Sequence, residues 1–350
     1  MRRVAGAMLF GLGLLCVVAG AALAWLIVPT LRQVPYKLKP PDVVLNAPGA
    51  TFVSARTLPG GGPSITVEHG TLRNTTGVKP DYKAAADLSG SLAGKTLIWN
   101  VYQATDWVEN NTPINRSESR IALDRVSGAA VAWKGQCYND VKVDKQDTRS
   151  CEPGNISYTG QLYLFPFGTQ KKTYQYFDGT LGKALPMTYQ GQEKVAGLPT
   201  YRFQQTVPQQ DLAVDQDTLG GLLGFLAPNA KTGTMNYEAS RTLWVEPTTG
   251  AIVAYTDREH RQLVPAGGQP IDILNATFQY DKATGDAIVD QASTGRSQLL
   301  LFGRYLPIGL VVAGLVAIVA AVRITRRGPV PARHAAPETP APEASAVSQG

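Results

Sequence analysis

Residues 241–255 read RTLWVEPTTGAIVAY, two runs rich in β-branched and aromatic residues on either side of a turn sequence. Such runs favour β-strands. Within the turn, Pro247 has a pre-set φ, and Gly250 can take a positive φ at little steric cost. The segment therefore predicts an antiparallel hairpin, and a β-rich fold around it.

The central region around this hairpin has the same character. Further strand candidates are residues 96–105, 119–124, 129–133, 161–165, 200–207 and 271–280. Several alternate polar and apolar residues, as Tyr201-Arg202-Phe203-Gln204 does, which indicates one buried and one wet face. Helical periodicity is scarce. We predict a mainly β domain, built as an antiparallel sheet, sandwich or barrel and flanked by two transmembrane helices.

Two apolar runs without charge lie near the ends of the chain. The first covers residues 4–28 and exceeds the roughly 20 residues that a helix needs to cross a bilayer. The second covers residues 305–322, and it can span if Arg304 extends its guanidinium to the interface. The first run also has features of a cleavable signal sequence. Its continuation through Trp25 to Val28 favours an uncleaved signal anchor, with cleavage as the alternative.

Basic residues flanking the spans predict the topology. Four arginines follow the second span and two precede it, which places the C-terminus in the cytoplasm. The first span is ambiguous, but two spans then put the N-terminus in the cytoplasm too, and the central domain outside the cell. The predicted segments are a cytoplasmic N-terminus (1–3), a span (4–28), an extended linker (29–51), an extracytoplasmic β-rich domain (52–304), a span (305–322) and a disordered cytoplasmic Ala/Pro-rich tail (323–350).

The net charge of +6 is unevenly distributed between the compartments that this topology predicts. The predicted cytoplasmic segments carry most of the basic excess, so the central domain has no strong field for a polyanion. Nucleic acid is therefore not an expected partner.

Of the three cysteines, Cys16 lies in the first span, where it suits a small apolar filler. Cys137 and Cys151 flank a polar loop on the predicted oxidising side of the membrane, and we predict a disulfide between them. In the chain-entropy view a loop of about 15 residues gains about 3 kcal/mol. Two free thiols are the alternative.

Catalytic chemistry is sparse in this sequence. The histidines are His69, His260 and His334, and His260 suits a solvated, charged strand end better than a catalytic cluster. No nucleophile elbow, phosphate loop, dinucleotide pattern or zinc-protease motif is present in the sequence. The aspartates 211, 215 and 217 lack the spacing of a calcium loop, and those at 140, 144 and 147 alternate with basic residues, which favours solvated ion pairs over a metal site. We therefore predict no catalytic residue, metal or cofactor.

The segment 219–228, LGGLLGFLAP, is strongly apolar but rich in glycine, a combination that favours neither a stable helix nor a strand. One interpretation is a buried loop or short core helix. The other is a mobile apolar flap that lines a lipid cavity or enters the outer leaflet. The candidate lipid contacts are Leu219, Leu222, Leu223, Phe225 and Leu226.

Three motifs carry a family resemblance: FPFGTQKKTYQYFD at 165–178, GLPTYRF at 197–203 and RTLWVEPTTG at 241–250. With these motifs the chain resembles the actinobacterial PorA-type envelope family over both spans and the β-rich region. The resemblance implies a protein of the envelope of a high-GC Gram-positive bacterium. Some relatives within this protein family are connected with maintaining envelope lipoglycans. It implies no catalytic residue. Two helical spans could line a channel only if several chains associate.

The first functional hypothesis is a non-enzymatic envelope protein whose exported domain binds or presents lipid or lipoglycan for envelope maintenance. The second is a scaffold or assembly component, or an oligomeric porin-like protein, whose spans pair with other membrane proteins or with further copies. An enzyme acting on envelope glycans is the third. The small residues that would permit close helix approach are Gly6, Gly11, Gly13, Gly20, Ala21, Gly309 and Gly314.

Overall fold

The structure, a computed structural model, describes residues 2–57, 61–141 and 151–326. It divides into a unit of two terminal helices and a β-rich unit, Leu23–Tyr305. The helices are α1 (Arg2–Ala22), α2 (Val28–Leu31), α3 (Tyr82–Ala86), α4 (Gln216–Leu226), α5 (Lys282–Leu300) and α6 (Leu306–Arg326). π-helical turns follow α1 and α5, at Leu23–Ile27 and Leu301–Tyr305, and a 3-10 turn covers Gly90–Leu92.

The β-rich unit contains eleven strands in one sheet. They are β1 (Val43–Thr57), β2 (Pro63–Pro80), β3 (Thr96–Trp107), β4 (Thr112–Asp124), β5 (Cys137–Asp140), β6 (Tyr174–Asp178), β7 (Lys183–Val195), β8 (Leu198–Leu212), β9 (Gly233–Val245), β10 (Ile252–Pro265) and β11 (Ile271–Tyr280). The prediction of a mainly β fold is confirmed.

The strand order is β5-β4-β3-β2-β1-β11-β10-β9-β8-β7-β6, and all ladders between neighbours are antiparallel. Two meanders are thus joined by the first and last strands. Isolated bridges lead from Leu123 through Ala130 to Gly160, and from Gln161 to Tyr176 of β6. The sheet is therefore curved far enough for β4 and β6, near its two edges, to be linked through short loop segments.

The predicted hairpin is present as β9 and β10. Gly250 has a φ of +76°, as its turn position requires. Its carbonyl also accepts a hydrogen bond from the Phe165 amide at 2.9 Å, and a Cβ at position 250 would overlap the Phe165 carbonyl. Glycine at this position therefore serves both the turn and a close backbone contact.

The inner face of the curved sheet is filled with side chains. Every second residue of β9, from Met235 to Val245, is buried. Phe165, from the loop before β6, stacks on Phe203 with ring centroids 5.2 Å apart, and meets the ring of Tyr174 edge to face at 5.1 Å. Aromatic packing of this kind makes the enclosed side of the sheet a hydrophobic core.

Several elements of the structure differ from those that the local sequence pattern predicts. Strand β1 begins at Val43, inside the segment 29–51 expected to be an extended linker, and α5 lies inside the expected β-rich domain 52–304. Segments 129–133 and 161–165 form isolated bridges instead of strands, two through Ala130 and one through Gln161. The extended conformation of β1 depends on its pairing with β2 and β11. Helix α5 is polar, and the Asp281 side chain caps its first turn by accepting a hydrogen bond from the Thr284 amide at 2.7 Å.

Candidate functional site

The two terminal helices are the part of the chain suited to a membrane. The stretches Val4–Leu31 and Lys282–Arg326 contain windows with mean hydropathies of 2.4 and 2.5. By length and composition both can cross a bilayer. The prediction of two such helices is confirmed.

Helices α1 and α6 pack antiparallel through glycines spaced seven residues apart. Gly6 lies beside Thr325, Gly13 beside Gly314, and Gly20 beside Pro307. A Cβ built on Gly13 would be 2.7 Å from the Gly314 carbonyl oxygen, a separation that real Cβ atoms do not show. Glycine thus lets the two backbones touch, as helices often do in membranes.

Not every small residue that favoured helix approach is used in this contact. A Cβ on Gly11 or on Gly309 would meet no atom within 4 Å. These two positions are therefore free of close neighbours in the helix-pair unit.

The disulfide between Cys137 and Cys151 is present, with Cα atoms 5.6 Å apart. It ties strand β5 to the segment that begins at Cys151. The aspartates at 144 and 147, with most of the polar loop between the two cysteines, lie outside the described residues, as do His334 and nearly all of the predicted tail.

The apolar glycine-rich segment forms helix α4. The Asp215 side chain caps it by accepting a hydrogen bond from the Thr218 amide at 2.8 Å, and Leu223 is buried against Met235 and Leu263 of the sheet. Its three glycines meet no atom within 4 Å, so they lie on the open side. A short surface helix, attached through its leucines, forms here because capping and leucine packing outweigh the low helix propensity of glycine.

The candidate lipid contacts are divided by this packing. Leu219, Leu222 and Leu226 are partly buried against the cluster that holds Leu223, whereas the Phe225 side chain is 44% exposed. Four of the five candidates thus help attach α4 to the sheet. Contact with lipid stays a prediction, and Phe225 is the position to test it.

A buried ionic cluster lies on the inner face of the sheet and was not anticipated from the sequence. Arg241 of β9 pairs with Asp178 of β6, donates from Nε to Asp257 at 2.8 Å, and donates from Nη2 to Glu259 at 3.2 Å. The guanidinium also donates to Gln205 at 3.0 Å. Strand register explains the cluster, because residues 205, 241 and 257 lie in one row across β8, β9 and β10.

The protonation of this cluster is set by burial and by its arginines. Burial raises the pKa of Asp257 to about 7, with a further increase from the neighbouring Glu259 carboxylate. Burial also acts to raise the pKa of Glu259, but Arg261 and Arg241 outweigh it and hold that pKa below its usual value. Near neutral pH the cluster can therefore hold a proton on Asp257.

His260 lies within strand β10 and not at a strand end. Its Nδ1 is 3.1 Å from Glu238 and its Nε2 is 2.8 Å from Asp272. Partial burial acts to lower the histidine pKa, but these two carboxylates outweigh it and raise the pKa. The arrangement is an ion-pair network that joins β9, β10 and β11.

A mainly β unit with an apolar, membrane-compatible helix at each end is the organisation of an integral membrane protein. The family comparison agrees with this class. The family model "Porin PorA" matches residues 5–323, so the chain belongs to the Porin PorA family.

Two curated relatives carry the same description. Porin PorA of Corynebacterium amycolatum is 27% identical over 263 residues, which cover 63% of this chain and 67% of the relative. Porin PorA of Corynebacterium resistens is 27% identical over 207 residues, covering 46% of this chain and 49% of the relative. The chain therefore spans about two thirds of the first relative and about half of the second.

A solved structure, that of Rv2717c from M. tuberculosis, is 11% identical and covers 69% of this chain and 92% of its own, with a TM-score of 0.21. A score this low carries no structural or functional argument.

Proposed function

We propose that this chain is a non-enzymatic, porin-like protein of the cell envelope membrane, and that several copies together form the path for solutes. Family membership and the name Porin PorA, which both relatives carry, support a porin-like role over lipid binding. The observation that carries the oligomeric part is the glycine contact between α1 and α6. Since Gly13 and Gly314 touch, one helix pair leaves no space between its helices for a solute.

The packed interior of the sheet supports the same proposal. In the part of the chain that the structure describes, its inner face is filled by aromatic rings and by the buried Arg241 cluster, in contrast to the polar lumen of outer-membrane barrels. A path through the membrane would then be built from the helices of associated chains.

The proposed topology has both termini in the cytoplasm and the β-rich region outside the cell. The arginines after α6 support this orientation, and the disulfide suits an oxidising compartment. A reporter that works only after export is expected to be active when it is fused near Gly160. A reporter that works only in the cytosol is expected to be inactive at the same position. The opposite pair of results would reverse the topology.

Conductance measurements test the porin-like role. Full-length protein added to planar bilayers is expected to give discrete current steps whose frequency rises more steeply than linearly with protein concentration. A Gly13→Leu variant, which separates the helix pair, is expected to reduce these events strongly, and Gly11→Leu serves as a size-matched control outside that contact. If membrane-inserted, folded protein gives no steps at any concentration, the porin-like role is wrong.

Binding or presentation of lipid or lipoglycan is a second candidate, favoured by the exposed Phe225 side chain on α4. Phe225→Asp is expected to reduce lipid co-purification and liposome binding if α4 meets acyl chains. Gln216→Asp, on the same helix, is the control for added charge. Unchanged lipid association in a folded Phe225→Asp protein would remove this candidate.

A further inference from the structure

An open groove with a volume of 350 Å³ lies on the outer face of strands β3 and β4. Its floor is formed by four side chains. Asn100 stands opposite Arg120, and Tyr102 stands opposite Glu118, in the antiparallel register. Facing residues are about 5 Å apart and successive residues on one face of a strand about 7 Å apart, so the floor is a small rectangle suited to one ring-sized ligand.

The wall of the groove is held in place by covalent and packing contacts. The disulfide Cys137–Cys151 and Pro153 form part of it, and Trp133 forms another part. A Cβ on Gly135 would overlap the Trp133 ring, so glycine allows the ring to lie against the backbone. Wall and floor are thus shaped before any ligand arrives.

The polar groups of the floor have unused hydrogen-bonding capacity. Arg120 donates from Nη2 to Asp81 at 2.6 Å, and its other guanidinium nitrogens make no hydrogen bond to the residues that the structure describes. Within the same described residues, the side chains of Asn100, Tyr102 and Glu118 form no hydrogen bond. Donors and acceptors therefore stand side by side without protein partners.

The charges of the floor argue against an anionic ligand. Asp81 neutralises Arg120 in an ion pair, whereas Glu118 forms no ion pair with the residues that the structure describes. A phosphate or carboxylate group would be repelled by Glu118 at this short range.

The combination of groups identifies the ligand chemistry. Hydroxyl groups both donate and accept hydrogen bonds, and so match adjacent donors and acceptors. The exposed ring of Tyr102 offers a flat apolar surface at the same groove, while the Trp133 ring is held by Gly135 and by the Arg120 guanidinium 5.5 Å from its centroid. We propose that this groove binds a neutral sugar ring, with Glu118 and Asn100 on its hydroxyls and an aromatic ring against its C–H face. This proposal does not depend on the porin-like function.

The test uses the full-length protein in lauryldimethylamine oxide, since a detergent with a sugar headgroup would compete for the groove. Calorimetric titrations with maltotriose, mannotriose and galactotriose probe free saccharides. Vesicles with and without a diglucosyl lipid probe a membrane-bound source of the same ring. Binding in either arm supports a sugar site, and the arm that binds identifies the source.

Tyr102→Ala is expected to weaken binding about tenfold through the loss of the aromatic surface. Tyr82→Ala is the matched control, because Tyr82 is an exposed tyrosine on α3 outside the groove lining, and it should leave affinity within about twofold. The proposal fails if no saccharide or glycolipid binds with a Kd below about 10 mM. It also fails if Tyr102→Ala binds as wild type does, or if inorganic phosphate binds in the groove and the sugars do not.

Discussion

Replacing Arg241 by methionine tests whether the buried cluster holds the curved sheet together. The Arg241 side chain is 5% exposed and pairs with Asp178, Asp257 and Glu259, which are 0%, 8% and 15% exposed. Methionine fills much of the volume but leaves these carboxylates without their central cation. Removing one partner of a buried ion pair destabilises a protein by about 3–5 kcal/mol.

A loss of this size would be a large part of the stability of the domain. Folded domains are typically stable by about 5–15 kcal/mol, so Arg241→Met should shift the urea midpoint far toward low denaturant. The measurement is tryptophan fluorescence of the full chain in detergent during urea unfolding. Urea is preferred to guanidinium because it does not screen charge.

The matched control is Lys83→Met. Lys83 and Asp87 form an ion pair on α3 whose side chains are 85% and 68% exposed, and exposed helix pairs of this spacing are worth about 0.3–0.5 kcal/mol. If Arg241→Met costs no more than Lys83→Met, the cluster does not stabilise the fold as argued. Adding Asp257→Asn to Arg241→Met should recover part of the loss, because it removes one of the uncompensated carboxylates.

Three further predictions concern pH, the helix pair and the turn. The pKa of Asp257 is higher in the folded protein, about 7, than in the unfolded chain, about 4, so protonation of Asp257 stabilises the fold fully below about pH 4 and this stabilisation is lost as the pH rises through about 7. Asp257→Asn should therefore flatten the fall in Tm between pH 5 and 8. An unchanged dependence of Tm on pH would contradict this assignment. Gly13→Leu should weaken the contact between separately expressed α1 and α6 segments in a membrane two-hybrid assay, while Gly11→Leu has no close neighbour to disturb; equal effects would refute the packing argument. Gly250→Ala should cost about 1–3 kcal/mol in urea unfolding, because alanine strains the turn and overlaps Phe165; a change below about 0.5 kcal/mol would show that the loop adjusts freely.

Local sequence signals account for the parts of the fold that could be predicted. The turn at Pro247–Gly250 gave the β9–β10 hairpin, and residues 271–280 coincide with β11, since composition and turn residues act within a few positions. The terminal spans followed from length and hydropathy. The disulfide followed from the presence of only two cysteines in the central region.

Long-range register accounts for most of what was missed. In the sequence Arg241 is one polar residue in a strand. Its partners become visible only when β10 is aligned beside β9 and the curved sheet brings β6 close to them. The groove floor has the same origin, because Tyr102 and Glu118 meet through the β3–β4 ladder. Helix α4 was uncertain from its composition, since its stability depends on leucines that reach the sheet.

The adjacency of β1 and β11 has a consequence for biogenesis. β11 is the final strand to be made, yet it supplies the central neighbour of β1, with Leu45 opposite Tyr280. During synthesis the nascent chain must keep two open meanders apart, each with an unsatisfied edge that can pair wrongly, until the last strand emerges. Ribosome stalling or truncation just before residue 271 would therefore expose the middle of the sheet, and such fragments should be prime substrates for quality-control proteases.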